Sequence, residues 1–163
     1  RSVGAAWVAD ITAALADGAT YADAVAALQA GGTDVPAALV GSAADGIVTQ
    51  AELQATFPPA ARAALAAERS AATDAGGENA VLAFLQNQLG IRSVATRDGD
   101  SKDAILSRAE AALRDAELAA ALNELTQLPD VAAHEMSDWV ALANSRQQAL
   151  IALDALREAV NSN

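Results

Sequence analysis

Residues 104–157 read AILSRAEAALRDAELAAALNELTQLPDVAAHEMSDWVALANSRQQALIALDALR, and this stretch decides the fold. Ile105, Leu106, Ala109, Ala112 and Leu113 recur at helical spacing, and so do Leu118, Leu122 and Leu125. A third stripe runs through Trp139, Leu142, Leu150, Leu153 and Leu156. Stripes of this period belong to amphipathic helices, whose apolar side must be buried. Only Arg114-Asp115-Ala116-Glu117 separates the first two, so they fold back as an antiparallel hairpin. Alanines at 109, 112, 116, 119, 120 and 121 are expected to let the two backbones approach closely. Pro129 ends the second helix, because it lacks an N–H and disfavours helix at the residue before it.

Upstream, the chain reads as small helices joined by tight turns. The first covers 5–17, with Trp7, Val8, Ile11 and Leu15 on one face and Gly18 as its stop. Thr20 is expected to cap a helix bearing Tyr21, Val25 and Leu28, which Gly31-Gly32 ends. Pro36 opens a third, closed by Asp45-Gly46. Thr49-Gln50-Ala51-Glu52 has the form of a capping box. The helix it starts carries Leu53 and Phe57 and meets Pro58-Pro59, where a kink or restart is expected. Ala61, Ala64 and Leu65 continue the stripe to Ser70. Residues 73–77 read as a linker, 78–89 as a helix, 91–96 as an extended connector and 97–100 as a turn before the N-cap Ser101. The expected class is therefore all-α, with an N-terminal helical region at 1–72 and a second helical domain at 78–163.

Composition narrows the function. The 163 residues are 53% hydrophobic and only 3% aromatic, so the core is built from close-packed aliphatic helices. There is no cysteine, which excludes disulfides, thiolate metal sites and a Cys nucleophile. No apolar run is long enough to span a bilayer. The chain opens at Arg1-Ser2 and is read as a fragment of something longer. A net charge of −11 argues against nucleic-acid binding, which needs cations to neutralise phosphates. Residues 1–61 hold one basic side chain against six acidic ones. Any surface attracted to anionic lipid must therefore come from the middle of the chain, where Arg62, Arg69, Arg92, Arg97, Lys102 and Arg108 lie.

No catalytic, cofactor-binding or metal-binding pattern is present. His134-Glu135 lacks the second histidine that a zinc protease needs four residues on, where Asp138 stands. Asp98, Asp100 and Asp103 lack the spacing, glycine and terminal glutamate of a calcium loop. No serine sits in a nucleophile elbow. An enzyme is not expected.

Two stretches carry candidate contacts. In residues 49–70, Leu53, Phe57, Arg62, Leu65 and Arg69 combine an apolar stripe with flanking cations. Such a segment either lies in a bilayer interface or packs its stripe into the core. In the last helix, Trp139, Leu142, Arg146, Ala149, Leu153, Leu156 and Val160 follow a heptad seam. Its rear half, Arg146 to Val160, is a candidate for self-association, and the competing reading is packing against the 104–128 hairpin.

The order of these residues resembles a known family. Ala112, Leu113, Leu118, Ala121, Leu125 and Leu128, followed by Asp138, Trp139, Ala143 and Arg146, are similar to the carboxy-terminal domain of mitofilin, the membrane-shaping protein of mitochondrial cristae and its alphaproteobacterial relatives. An upstream block, Gly46-Ile47-Val48-Thr49 with Leu53, Phe57, Ala61, Arg62 and Ala64-Leu65, resembles the family's G-V-x-T-x-x-x-L-x-x-x-F-x-x-x-A-R segment. The family usually has Gly-Asp-Leu at the hairpin turn, where this chain has Ala116-Glu117-Leu118. The resemblance implies a membrane-organising scaffold that contacts an anionic membrane surface and forms a homodimer or higher oligomer. It also implies a place on the periplasmic side of a bacterial inner membrane. The alternative is a periplasmic interaction module whose tetratricopeptide-like hairpin grips an envelope protein without touching lipid.

Overall fold

The structure is a computed structural model that describes residues 3–75 and 101–162. The expected helix at 78–89, its connector and turn, and Arg92 and Arg97 lie outside the described residues. The linker expected at 73–77 is corrected in part: residues 73–75 are helical, and 76 and 77 lie outside the described residues. The fold is all-α, with eight helices and no strand among the described residues. They are α1 (Val3–Asp17), α2 (Ala22–Ala30), α3 (Ala37–Ser42), α4 (Gln50–Ala75), α5 (Lys102–Arg114), α6 (Leu118–Leu125), α7 (Asp130–Glu135) and α8 (Ser137–Asn161).

The chain divides into two units, but not where composition placed the boundary. The first combines residues 1–55 with 140–163, and the second is the continuous stretch 56–139. The division falls inside α4 and α8 rather than in the loop after α4. The physical reason is that the last helix supplies apolar side chains to the core of the first helices. Ile11, Leu15, Val25, Leu28 and Leu39 are buried in one cluster with Ala149, Leu153 and Leu156.

In the first unit the turns are set by backbone conformation. Gly18 (φ +71°) and Gly32 (φ +82°) adopt the left-handed conformation, and Ala19 and Thr33 donate back to the carbonyls of Ala14 and Leu28. Gly46 (φ +77°) also lies against the preceding turn. A Cβ there would stand 2.5 Å from the carbonyl oxygen of Gly18, so no larger residue fits. Thr20 does not cap α2: the N-cap is Tyr21, whose backbone N–H donates to Ala43 O at 2.8 Å. The Tyr21 hydroxyl lies 2.5 Å from Ser42 Oγ, which itself donates to Ala38 O. The phenol is therefore the donor, and burial raises its pKa.

The second unit is built on the expected hairpin. Ser101 caps α5 by accepting from Ala104 N at 3.2 Å. At the turn, Glu117 N donates to Ala112 O and Ala116 N to Leu113 O, the paired bonds of a Schellman closure. Ala116 sits at φ +61°, the one non-glycine residue with positive φ among those described. Of the alanines expected between the helices, Ala109 and Ala121 are fully buried and Ala112 is half-buried. Ala116, Ala119 and Ala120 are exposed. Pro129 comes later than the end of α6 and serves as the N-cap of the short α7. Arg108 pairs with Glu124 across the hairpin at 2.8 Å.

Helix α4 runs through Pro58-Pro59 without interruption, contrary to the expected restart. The carbonyls that would have received the two missing N–H groups belong to Gln54 and Ala55, both exposed residues. Helix continuity on the buried side, through Leu53, Phe57 and Ala64, is unaffected.

Candidate functional site

The segment 49–70 begins with the capping box read from sequence. Thr49 N donates to Glu52 Oε2 at 2.8 Å, Thr49 Oγ1 donates to the same oxygen at 2.9 Å, and Glu52 N donates to Thr49 Oγ1 at 3.1 Å. The backbone bond and then the hydroxyl bond from Thr49 lower the Glu52 pKa. Beyond the cap, the apolar stripe faces inward. Leu53 is 0% exposed and Phe57 1%. Phe57 meets Trp139 edge to face, with ring centroids 5.0 Å apart. Leu65 is half-buried, and Arg62 and Arg69 are exposed. As candidates for membrane contact, Leu53 and Phe57 are thus corrected: they are core side chains, and lipid cannot reach them in this conformation. The reason is that the stripe finds apolar partners within the chain.

The heptad seam is corrected in the same way. Arg146 (8% exposed), Ala149, Leu153 and Leu156 are buried, and Val160 is packed against the cluster that Leu153 and Leu156 join. Only Leu142, at the front of the seam, is well exposed. The candidates for self-association are therefore covered by α1 and α2 of the same chain, not left open for a partner helix.

Arg146 is the one buried charged side chain among the described residues. Its Nη1 donates at 2.9 Å to Leu15 O, in the last turn of α1, and at 2.9 Å to Val48 O. No carboxylate pairs with it among the described residues. The negative end of the α1 dipole takes the place of a counter-ion. Burial lowers the Arg146 pKa, and its Nε has no hydrogen-bond partner. The sequence showed an arginine inside a seam, but not that two main-chain carbonyls would receive it.

Glu68 was not legible as a structural residue, since it stands alone on an alanine-rich helix. Its Oε2 pairs with Lys102 Nζ at 3.0 Å, and its Oε1 accepts from Ala132 N at 3.2 Å. One carboxylate thus ties α4 to α5 and to the first turn of α7. In the same unit a groove of about 240 Å³ lies over Phe57, Pro58, Leu65 and Leu106, edged by Arg62, Asp103 and Glu110. Among the described residues, no group of three or more His, Asp or Glu is placed to hold a metal ion, and His134 is exposed.

Comparison with protein families, with characterised proteins and with solved structures found no match to this chain. Among the described residues, no helix is long and apolar enough to cross a membrane.

Proposed function

We propose that this chain is a non-catalytic scaffold domain of a membrane-organising protein of the mitofilin type. The observation that carries the reading is where the two resembling sequence blocks lie. The upstream block supplies Val48 and Phe57, and the downstream block supplies Trp139 and Arg146. Phe57 packs on Trp139, and Arg146 donates to Val48 O. Residues that mark the resemblance are therefore partners in packing, as expected of positions that specify one fold. The hairpin turn departs from the family in residue type, with Ala116 where the family places glycine, and Ala116 adopts a positive φ.

On this reading the domain works on the periplasmic face of a bacterial inner membrane. It serves as an assembly element with peripheral contact to anionic lipid. Contact runs through exposed cations such as Arg62 and Arg69 and not through insertion of Leu53 or Phe57, which are buried. Self-association uses surfaces other than the Arg146–Leu156 seam. Flotation with anionic liposomes tests this. Floating protein that salt releases, and that Arg62→Glu with Arg69→Glu no longer lets float, supports peripheral contact. Protein that stays at the bottom at low and moderate salt removes the lipid part of the proposal. A second reading, an envelope-protein interaction module, is favoured by the groove over Phe57, Leu65 and Leu106. Partner binding there would respond little to salt.

A further inference from the structure

A second concavity lies in the first unit, between the N-terminal half of α1 and the C-terminal half of α8. It measures about 370 Å³, within the size range of small-ligand sites. Its walls are aliphatic: Ala5, Val8 and Ala9 from α1, and Val160 from α8. Its polar residues are Thr12, Asn161 and Arg157, and the Arg157 guanidinium, the one charged group among them, is held in place at two points. Thr12 Oγ1 donates its proton to Val8 O at 2.7 Å, which leaves its lone pairs to accept from Arg157 Nη2 at 2.9 Å. Asp154 Oδ1 accepts from Nη1 at 2.8 Å. A guanidinium has five N–H groups, so donors remain beyond these two bonds. The side chain is 42% exposed and the Asp154 side chain 72%, so their ion pair is a weak surface contact that leaves the cation open to competition.

We propose that this cleft binds a small amphipathic carboxylate, with its alkyl chain along the alanine and valine walls and its head on Arg157. Charge decides the class of ligand. Among the described residues of this unit, eight carboxylates face two cations, of which Arg146 is buried and only Arg157 reaches solvent. Such a surface repels an anionic bilayer or a polyanion, whose many charges act together. A single charge that reaches one guanidinium is exempt from most of that repulsion. The planar fork of arginine matches a carboxylate by paired hydrogen bonds, and a doubly charged phosphate would meet Asp154 beside it. The apolar walls exclude a fully hydrophilic anion. This site does not depend on the scaffold reading above.

The test is titration of the whole chain with octanoate below its micellar concentration, followed by amide NMR shifts. Octanol is the neutral twin. The expected result is saturable octanoate binding, with shifts centred on Ala5, Ala9 and Thr12, and weaker binding of octanol. Arg157→Gln is expected to weaken octanoate about tenfold or more and leave octanol unchanged. Asp154→Asn, which removes the competing carboxylate and keeps the guanidinium and its Thr12 contact, is expected to strengthen octanoate binding. Ala9→Leu, at an exposed helical position, fills the cleft and is expected to abolish binding of both. The opposite responses at 157 and 154 separate recognition from general loosening of α1. Absence of saturable binding, equal binding of octanoate and octanol, or octanoate binding indifferent to both charge variants overturns the proposal.

Discussion

The two units close their helices by the same device with different residues. In the first, α1 and α2 end on Gly18 and Gly32, which take positive φ without strain. In the second, α5 ends on Ala116, with the same pair of hydrogen bonds that closes α2 and a Cβ in the left-handed region. The units also differ in how they treat charge. The second holds its helices with side-chain ion pairs, Glu68 to Lys102 and Arg108 to Glu124, all partly solvated. The first buries a cation and satisfies it with carbonyl oxygens. A partly solvated ion pair contributes little and weakens with salt. A buried guanidinium on main-chain acceptors is not screened, and it fixes which segments must meet.

The largest effect tests whether the two units are separately cored. Phe57→Ala removes the ring packed on Trp139 and is expected to cost about 3–5 kcal/mol. Leu156→Ala does the same to the first core at about 2–5 kcal/mol. Urea unfolding measures the cost, and hydrogen exchange shows where protection is lost. The expected pattern is loss in α5 and α6 for Phe57 and in α1 and α2 for Leu156. Loss spread evenly over all helices in both variants would break the distinction. For the same reason, Phe57→Asp is expected to unfold the second unit rather than affect lipid binding selectively.

Next in size is Arg146→Met, which keeps the stem and removes the charge. Two carbonyls lose their donor, at a combined cost of about 2–3 kcal/mol, partly offset because no cation need then be buried. The loss should persist in high salt, whereas any effect of Glu68→Gln on the ion pair to Lys102 should shrink. Equal salt responses would remove the contrast between the units. Smaller, and opposite in sign, is Ala116→Gly. Relief of the left-handed Cβ outweighs the extra freedom of the unfolded chain, for a gain of about 0.5–1 kcal/mol in stability. A lower melting temperature in this variant would show that the turn is not strained.

The smallest effect is a pH response confined to the first unit. Tyr21 has a folded pKa raised from its ordinary value of 10.0, mainly by burial. Its contribution to stability is therefore fully present below the unfolded pKa and is lost as pH rises through the folded one. As the chain has a single tyrosine, ultraviolet absorbance reads its ionisation directly. Tyr21→Phe is expected to flatten the alkaline part of the stability curve, and an unchanged curve would mean that Tyr21 does not drive it.

Local signals were legible in the sequence because their physics is local. The Thr49–Glu52 box, the Ser101 cap and the hairpin of Leu113 and Leu118 involve residues a few positions apart, and each is present. Non-local partners were not legible. Arg146 meets Leu15 across 131 positions and Val48 across 98, and Glu68 meets Ala132 across 64. A helical stripe announces that a face is buried, but not by what. That is why Leu53 and Phe57 read as core or as lipid contacts, and Leu153 and Leu156 as internal packing or as an association seam. Of the kink or restart expected at Pro58-Pro59, the restart does not occur: the two lost N–H groups fall opposite exposed positions, Gln54 and Ala55.

The discontinuity of the first unit also has a consequence in time. Its core needs Ile11 and Leu28 from one end of the sequence and Leu153 and Leu156 from the other. On a ribosome that adds about 5–20 residues per second, the early helices emerge on the order of ten seconds before α8 can join them. Residues 56–139 are all present before that moment. The second unit can therefore assemble during synthesis, while α1 to α3 wait with an uncovered apolar face that a chaperone can hold until the last helix arrives.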